Sequence, residues 1–213
     1  MTRIDRLRDL LEPDESLLVS HLVNIRYLTG FTGSNAAVLV SPDRAVLITD
    51  SRYTLQAETE CHDVELVVAP QVLPTAAGLA PGPLAVESEH LSVAEFHRLT
   101  RTLAQVRTSA GLVESLRTVK DMDEVQWIRA ACQIATAALE QVTSQIRPGM
   151  TERELAQSLE RRMVDLGAHG PAFPSIVAAG EHSAVPHHQP TTRPLKHGDL
   201  LKVDFGALVS GYH

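Results

Sequence analysis

The chain concentrates its histidines in its last forty-five residues, where six of the ten histidines lie. These six are His169, His182, His187, His188, His197 and His213. Imidazole is the commonest metal ligand among side chains, and it is also the side chain best suited to proton transfer near neutral pH. The clustering therefore indicates a functional site in this part of the chain.

Asp204 is a further candidate for a functional role, because it is a carboxylate in a largely apolar segment that runs from residue 200 to residue 208. Carboxylates avoid core strands unless they are paired or bind a metal. On a strand, Asp204 shares one face with Lys202 and Gly206, opposite the apolar side chains, so this polar face is expected to line a cleft. From spacing alone, a salt bridge from Asp204 to Lys202, or to an arginine elsewhere in the chain, explains the carboxylate equally well.

His187 and His188 lie next to each other in a segment that is flanked by Pro186 and Pro190. The two prolines predict a loop, and this loop precedes the strand that carries Asp204. The pair is a candidate for a role in the site. The alternative interpretation is that both side chains are simply solvated loop residues.

Other polar residues of this region are interpreted without a catalytic role. His182 and His197 are expected to be surface groups, and Asp199 follows Gly198 as a turn residue would. Far earlier in the chain, the segment 32–35 (TGSN) resembles a phosphate-binding loop only loosely, because neither GxxxxGK[ST] nor a strand-linked GxGxxG follows. No nucleotide site is predicted.

Short apolar strands alternate with amphipathic helices over the first hundred residues, which predicts an α/β layer structure. The clearest element is a hairpin of Ala36–Val40 and Ala45–Thr49, because the intervening Pro42 and Asp43 suit a type I turn. The other predicted elements are strands at residues 16–20, 64–69 and 84–87, helices at residues 4–11 and 52–61, and a helix that begins with the capping box of Ser92 and Glu95.

Two longer helices follow. The first begins with the capping-box pair Asp121 and Glu124 and continues to about residue 148, and the second begins with Thr151 and Glu154 and ends at Gly167. The short alternating strands and helices give way to longer helices here, and this change predicts a domain boundary near residues 109–116. We therefore divide the chain into residues 1–112 and residues 113–213.

The end of the chain is expected to form an incomplete hairpin. Residues 200–208 predict a strand, residues 209–211 a turn, and Tyr212 begins a return strand. A hairpin that stops there leaves backbone groups and a sheet edge unpaired, which folded proteins rarely accept. We therefore expect residue 213 to be a fragment boundary rather than a natural C-terminus.

Composition narrows the class of protein. The chain has 213 residues, of which 44% are hydrophobic and 21% charged, and its formal net charge is −7. This charge argues against nucleic-acid and anionic-membrane partners, which require a basic face. No segment has the character of a signal peptide or a membrane span, so a cytoplasmic protein is expected. Cys61 and Cys132 are expected to be reduced, buried thiols.

Three segments, taken in order, resemble a known family. Residues 24–58 resemble the N-terminal domain of the creatinase and prolidase group. Residues 116–132 resemble the entry into its catalytic domain, and residues 180–191 with 198–213 resemble the first half of its active site. The resemblance implies the Xaa-Pro aminopeptidase and prolidase family. The implied fold is an α/β N-terminal domain, with a mixed sheet and flanking helices, followed by the first half of an α+β pita-bread catalytic domain.

The resemblance also implies a site and a reaction. Members hold two divalent metal ions, commonly manganese, cobalt or zinc, with two aspartates, one histidine and two glutamates. Asp204 matches the first aspartate. His187 matches the loop histidine that hydrogen-bonds the substrate or the tetrahedral intermediate. The adjacent His188 is expected to contact the substrate and not to bind a metal ion. The second aspartate is expected just after His213. The implied function is hydrolysis of Xaa-Pro peptides by a homodimer, with a proline-containing peptide as the substrate.

Competing interpretations remain open. Creatinase shares the architecture but hydrolyses a C–N bond without a metal, and the presence of Asp204 argues against that reading. A non-catalytic peptide-binding module with the same fold is a second alternative. An α/β protein that binds a small molecule is a third. The resemblance covers both dipeptidases and aminopeptidases and does not choose between them.

Overall fold

The computed structural model describes residues 1–213 and divides them into two compact units, Met1–Val119 and Lys120–His213. The predicted boundary after residue 112 falls at the start of the helix Leu112–Thr118. In the structure this helix belongs to the first unit, where Val113 is buried in the core. The division into 1–112 and 113–213 stays a prediction for the limits of the folding domains.

The first unit is built on one six-stranded mixed sheet with the order β4-β3-β2-β1-β5-β6. Its strands are β1 (Ser16–Val19), β2 (Ala36–Val40), β3 (Ala45–Thr49), β4 (Glu65–Val68), β5 (Leu84–Glu87) and β6 (Val106–Ser109). The pairs β1–β2 and β2–β3 are antiparallel, and the other neighbouring pairs are parallel. Its helices are α1 (Arg3–Arg8), α2 (Leu22–Thr29), α3 (Thr54–Glu60), α4 (Val72–Gly78), α5 (Val93–Thr102) and α6 (Leu112–Thr118).

Helices cover both faces of this sheet. Successive strand residues point to opposite faces, so Leu17 packs in one hydrophobic cluster and Leu18 in the other. Helices α1, α2, α3 and α6 contribute buried residues to the first cluster, and α4 and α5 to the second. Because both faces are buried, the central strands are apolar except at their ends, where Ser16, Thr49 and Glu87 lie. The predicted α/β domain with a mixed sheet and flanking helices is confirmed.

Local sequence signals predicted some elements better than others. The hairpin of β2 and β3 has the predicted bounds, and the capping box of Ser92 and Glu95 begins α5. The predicted helix at 52–61 is divided into a 3-10 helix, Ser51–Tyr53, and α3. Helices α2, α4 and α6 carried no capping signal and were not predicted. The structure shows no hydrogen-bonding side-chain cap at any of the three.

The two edge strands of the sheet differ from the four inner ones. All residues of β1, β2, β3 and β5 are buried, whereas β4 and β6 each have two exposed residues. Glu65 on β4 pairs with Arg44 at 3.8 Å, and Arg107 on β6 forms two 2.6 Å hydrogen bonds with Glu15. Both edges of the sheet therefore carry charged side chains.

Glu87, at the end of β5, is a buried carboxylate that joins the sheet to the start of α2. Its Oε2 accepts backbone N–H groups of Ser20 at 2.6 Å and His21 at 2.8 Å. Its Oε1 accepts the side-chain amide of Asn24 at 2.7 Å. Both carboxylate oxygens therefore face hydrogen-bond donors.

We expect Glu87→Gln to lower the free energy of unfolding by about 2–3 kcal/mol, since one donor NH2 group must then face other donors. Urea denaturation measures this change. Glu89→Gln is the matched control, because Glu89 is exposed two residues further along the chain. An equal loss of stability in the two variants would contradict a structural role for the Glu87 carboxylate.

The second unit combines two helices with two small sheets. Its elements are α7 (Met122–Thr143), α8 (Glu152–Asp165), β7 (Gly170–Pro171), β8 (Ile176–Ala179), a 3-10 helix (Gly180–Ala184), β9 (Leu201–Asp204) and β10 (Ala207–Leu208). Strand β8 pairs with β9, and β7 pairs with β10, both antiparallel. Both predicted capping boxes, at Asp121 and at Thr151, are present. No helix of the protein combines the length and apolar character needed to cross a bilayer.

The predicted strand over residues 200–208 is wrong as one continuous element. The chain leaves β8 after Asp204 and takes β7 as its new partner from Ala207. At the break, a Cβ on Gly206 would lie 3.1 Å from the ring of Phe173. This close approach suits glycine and accompanies the change of partner. The predicted return strand is only a single bridge between Val209 and Tyr212.

Candidate functional site

Helix α8 provides one wall of the candidate site. The hydroxyl of Thr151 accepts the backbone N–H of Glu154 at 3.2 Å, and the Glu154 carboxylate accepts the Thr151 N–H at 2.8 Å. Leu155, Leu159 and Met163 form the buried face of the helix. This arrangement fixes the first turn of α8, where Glu152 lies.

Glu152 is fully buried, and its carboxylate accepts five hydrogen bonds. Oε1 accepts the backbone N–H of Ala179 and the Nδ1–H of His182, both at 2.9 Å. Oε2 accepts Nε2–H of His188 at 2.9 Å, and both the N–H and the hydroxyl of Thr191 at 3.0 and 2.7 Å. One side chain therefore links β8, the 3-10 helix and the histidine-bearing loop.

The surroundings of Glu152 favour its ionised form. Burial by itself raises the pKa of this carboxyl group, but the hydrogen bonds from His188, Thr191 and Ala179 outweigh burial and lower the pKa well below its usual range. An ionised carboxylate only accepts hydrogen bonds, so His182 must carry a proton on Nδ1 and His188 on Nε2. The geometry thereby fixes how both rings face the carboxylate.

The loop that carries His187 is also held from β9. Nζ of Lys202 donates to the backbone carbonyl oxygens of Val185 and Pro186, with 3.2 Å to the latter. The predicted alternative, in which Lys202 forms a salt bridge with Asp204, is not what the structure shows. Lys202 binds the loop instead.

Asp204 ends β9 and lines an open cleft with the histidine loop. Its side chain is exposed and makes no hydrogen bond or ion pair with the protein. The apolar side chains of Leu201 and Val203 point away from it into a hydrophobic cluster with α8, as the predicted alternation requires. The cleft is lined by residues that include Phe173, Pro174, Ser175, Ile176, His187, His188, Gln189 and Asp204.

The two loop histidines differ in their environment. His187 is exposed, and its side chain makes no hydrogen bond in the structure. The side chain of His188 is only 11% exposed, its Nε2 faces Glu152, and its ring lies against that of His182 with centroids 4.4 Å apart. The catalytic assignment of His187 and the substrate-binding assignments of His187 and His188 stay predictions.

Several other residues can now be placed. His182 is not the surface group that was expected, since it is partly buried against Glu152. His197 is exposed. Asp199 accepts the Lys196 N–H at 3.0 Å, as a turn residue would, and it also pairs with Arg193 at 2.8 Å.

The segment 32–35 shows no sign of an anion site. The N–H and the hydroxyl of Thr32 both donate to Glu60, at 2.7 and 2.6 Å. An acidic side chain therefore already occupies the donors that a phosphate would need.

Glu152 is the residue that sequence reasoning missed. Its position beside the N-cap Thr151 resembles that of any acidic residue in a first helical turn, where the helix dipole favours negative charge. Only the fold brings it to residues 179–191, which lie far along the chain. No pattern in the sequence distinguishes it from the exposed Glu154.

Comparison with known proteins agrees with this organisation. Residues 3–119 match the Creatinase/Prolidase N-terminal domain, and residues 126–213 match metallopeptidase family M24. A Bacillus subtilis protein described as an uncharacterized peptidase is 30% identical over 219 residues, covering 99% of this chain and 62% of the relative.

Two solved structures share the fold over nearly the whole chain. Xaa-Pro dipeptidase from Bacillus anthracis has 33% identity and a TM-score of 0.92, covering 98% of this chain and 61% of that one. X-Pro aminopeptidase from Thermotoga maritima has 34% identity and a TM-score of 0.86, covering 99% and 62%. This chain therefore spans less than two thirds of the length of each of these proteins. The predicted resemblance and fold class are confirmed, and the chain belongs to the creatinase/prolidase group of metallopeptidase family M24.

Proposed function

We propose that the protein which contains this chain hydrolyses Xaa-Pro peptide bonds with the help of divalent metal ions. The observation that carries the proposal is the cleft in which the unpaired carboxylate of Asp204 and the unbonded imidazole of His187 both lie. Relatives named Xaa-Pro dipeptidase and X-Pro aminopeptidase share this fold, which supports the choice of substrate class.

The residues present fit a metal centre at Asp204. Its carboxylate is exposed to the cleft and no cationic side chain pairs with it, so its oxygens are available to a hard divalent cation. Asp204 is one ligand of the set that the family resemblance implies. Divalent ions held there would supply an activated water molecule as the nucleophile and would polarise the scissile carbonyl group.

His187 is proposed to act on the substrate directly. Its imidazole is exposed in the cleft and makes no hydrogen bond with the protein, so an N–H of the ring is available to donate to the substrate carbonyl oxygen. A donor placed there stabilises the negative charge that develops on this oxygen in the transition state. His188 is proposed to contact the substrate through Nδ1, because its Nε2 is occupied by Glu152.

The same family resemblance leads us to propose manganese, cobalt or zinc as the metal, a homodimer as the assembly and the cytoplasm as the location. The proposal covers both prolidase-type dipeptidase and aminopeptidase specificity.

The test is an assay of the complete protein on a proline dipeptide and on a longer Xaa-Pro peptide, with added Mn²⁺. We expect cleavage before proline that stops when a chelator removes the metal and returns when Mn²⁺ is restored. Cleavage that is unaffected by the chelator would favour a creatinase-like, metal-free hydrolase. Binding of the peptide without cleavage would favour the non-catalytic module. Either result would contradict the proposal.

A further inference from the structure

The loop that carries His187 has little regular structure of its own. Residues 186–190 belong to no helix or strand, and Pro186 and Pro190 have no backbone N–H to donate. A segment of this kind must be held by side chains or by its flanking residues if its geometry is to be fixed. The structure shows such contacts on both sides of His187.

On one side, Lys202 binds the carbonyl oxygens of Val185 and Pro186. On the other side, Glu152 binds the ring of His188 and both donors of Thr191. The segment after the loop is also paired with the start of α8, since the N–H groups of Glu152 and Arg153 donate to the carbonyl oxygens of Arg193 and Thr191 at 3.1 and 3.0 Å. The backbone is therefore held by hydrogen bonds both before and after His187.

Glu152 also fixes the strand beside the loop. Its Oε1 accepts the N–H of Ala179, the last residue of β8, and β8 pairs with β9 so that Ile176 lies opposite Asp204. The same carboxylate thus contacts the loop of His187 and the strand that is the partner of Asp204. It is well placed to set the distance between these two groups.

We propose that Glu152 is a positioning residue, whose buried carboxylate holds the loop 185–191 so that His187 faces the Asp204 side of the cleft. This inference rests on the proposed function for the part that concerns catalysis. Glu152 itself does not reach the substrate, because its side chain is fully buried and every hydrogen bond that it accepts comes from the protein.

The contacts of Glu152 also separate this role from metal binding. Glu152, His182 and His188 lie close enough together to suggest a metal site. However, the two oxygens already accept five donors, and a carboxylate offers only about four lone-pair positions. A cation would have to displace hydrogen bonds that connect three segments of the chain. The cluster is therefore a structural connection rather than a third metal position.

The test compares Glu152→Gln with Glu154→Gln in the complete protein. Both changes remove one negative charge from the first turn of α8, and glutamine at position 154 can still complete the capping box. In Glu152→Gln, the new NH2 group must face a backbone N–H, either that of Ala179 or that of Thr191. A histidine can change its tautomer to accept from this group, but a backbone N–H cannot.

We expect Glu152→Gln to lower kcat by about 10- to 100-fold with little change in KM, as is typical when a reacting group loses its support. Hydrogen–deuterium exchange of the amides between residues 187 and 192 should become faster in the same variant. Glu154→Gln should leave kcat and the exchange of this loop unchanged. A lower melting temperature with unaltered kcat in the folded enzyme would overturn the proposal.

Thr191→Val is the milder variant, which decides the question if Glu152→Gln does not fold. It removes the hydroxyl, which donates to Glu152 and accepts the Arg193 N–H, and keeps the backbone N–H of residue 191. We expect kcat to fall about five- to tenfold. Unchanged kcat and unchanged loop exchange would overturn the proposal. If the wild-type protein cleaves no Xaa-Pro peptide, the proposed function fails, but the exchange measurement still tests whether Glu152 holds the loop.

Discussion

Asp204→Asn in the complete protein is expected to lower kcat/KM for Xaa-Pro cleavage by about 10³-fold or more. Asp204 and Glu160 are the two acidic residues that line the cleft, and the exposed carboxylate of Asp204 makes no ion pair with a basic side chain. Asparagine keeps the size of the side chain but loses the negative charge that a divalent ion requires. Metal ions contribute several kcal/mol to the stabilisation of charge in the transition state, and each 1.4 kcal/mol corresponds to a factor of ten in rate.

The metal content of the purified variant should be measured with its activity, because a lost ligand lowers both. Asp123→Asn is the matched control, since Asp123 is an exposed residue in the first turn of α7. The control should retain wild-type activity and metal content. Full activity of Asp204→Asn would exclude Asp204 as a metal ligand and remove the main support for the proposed function.

His187→Ala is expected to lower kcat by about 10²- to 10³-fold, which is the effect of removing one hydrogen-bond donor from a developing oxyanion. KM should change little, because the donor is proposed to bind the transition state more strongly than the substrate. The exposed position of His187, without hydrogen bonds, also means that the substitution should leave the fold intact. Steady-state kinetics on an Xaa-Pro peptide measures both constants.

His197→Ala provides the comparison, because His197 is exposed and is not among the residues that line the cleft. Its kcat and KM should equal those of the wild type. If His187→Ala raises KM while kcat is preserved, His187 contributes to substrate binding only. That result would contradict the proposed stabilisation of the transition state.

The sequence predicted best those features that depend on neighbouring residues. Three capping boxes were placed correctly, and the hairpin of β2 and β3 has the predicted bounds. A cap requires a hydrogen bond over only three residues, and a hairpin turn over four, so the physical cause lies within the pattern itself. The family resemblance then supplied the fold of the second unit, which local signals did not.

Features that depend on distant contacts were missed. The strand over 200–208 was predicted as continuous because its residues are largely apolar, but the tight approach of Gly206 to Phe173 accompanies an exchange of partner strands. His182 was expected at the surface, because its partner Glu152 lies thirty residues earlier. Burial and partners of this kind are set by tertiary structure and leave no periodic signal.

For Asp204, the local pattern predicted the position of the side chain but not its partners. The alternation of polar and apolar residues correctly placed it opposite Val203 and on a face that lines a cleft. The sequence could not decide between an ion pair with Lys202 and an available carboxylate. The structure separates these possibilities because Lys202 reaches the carbonyl oxygens of Val185 and Pro186 instead.

The charged side chains on β4 and β6 have a consequence for association. The outermost strand of a sheet offers free backbone groups to which a strand of another molecule can add, and this is a common route to aggregation. Here the strands at both ends are only four residues long and carry Glu65 or Arg107. Addition of a foreign strand would bring these charges against its side chains and disturb the pairs with Arg44 and Glu15. These charged edge strands therefore disfavour the addition of a further strand at either edge of the sheet.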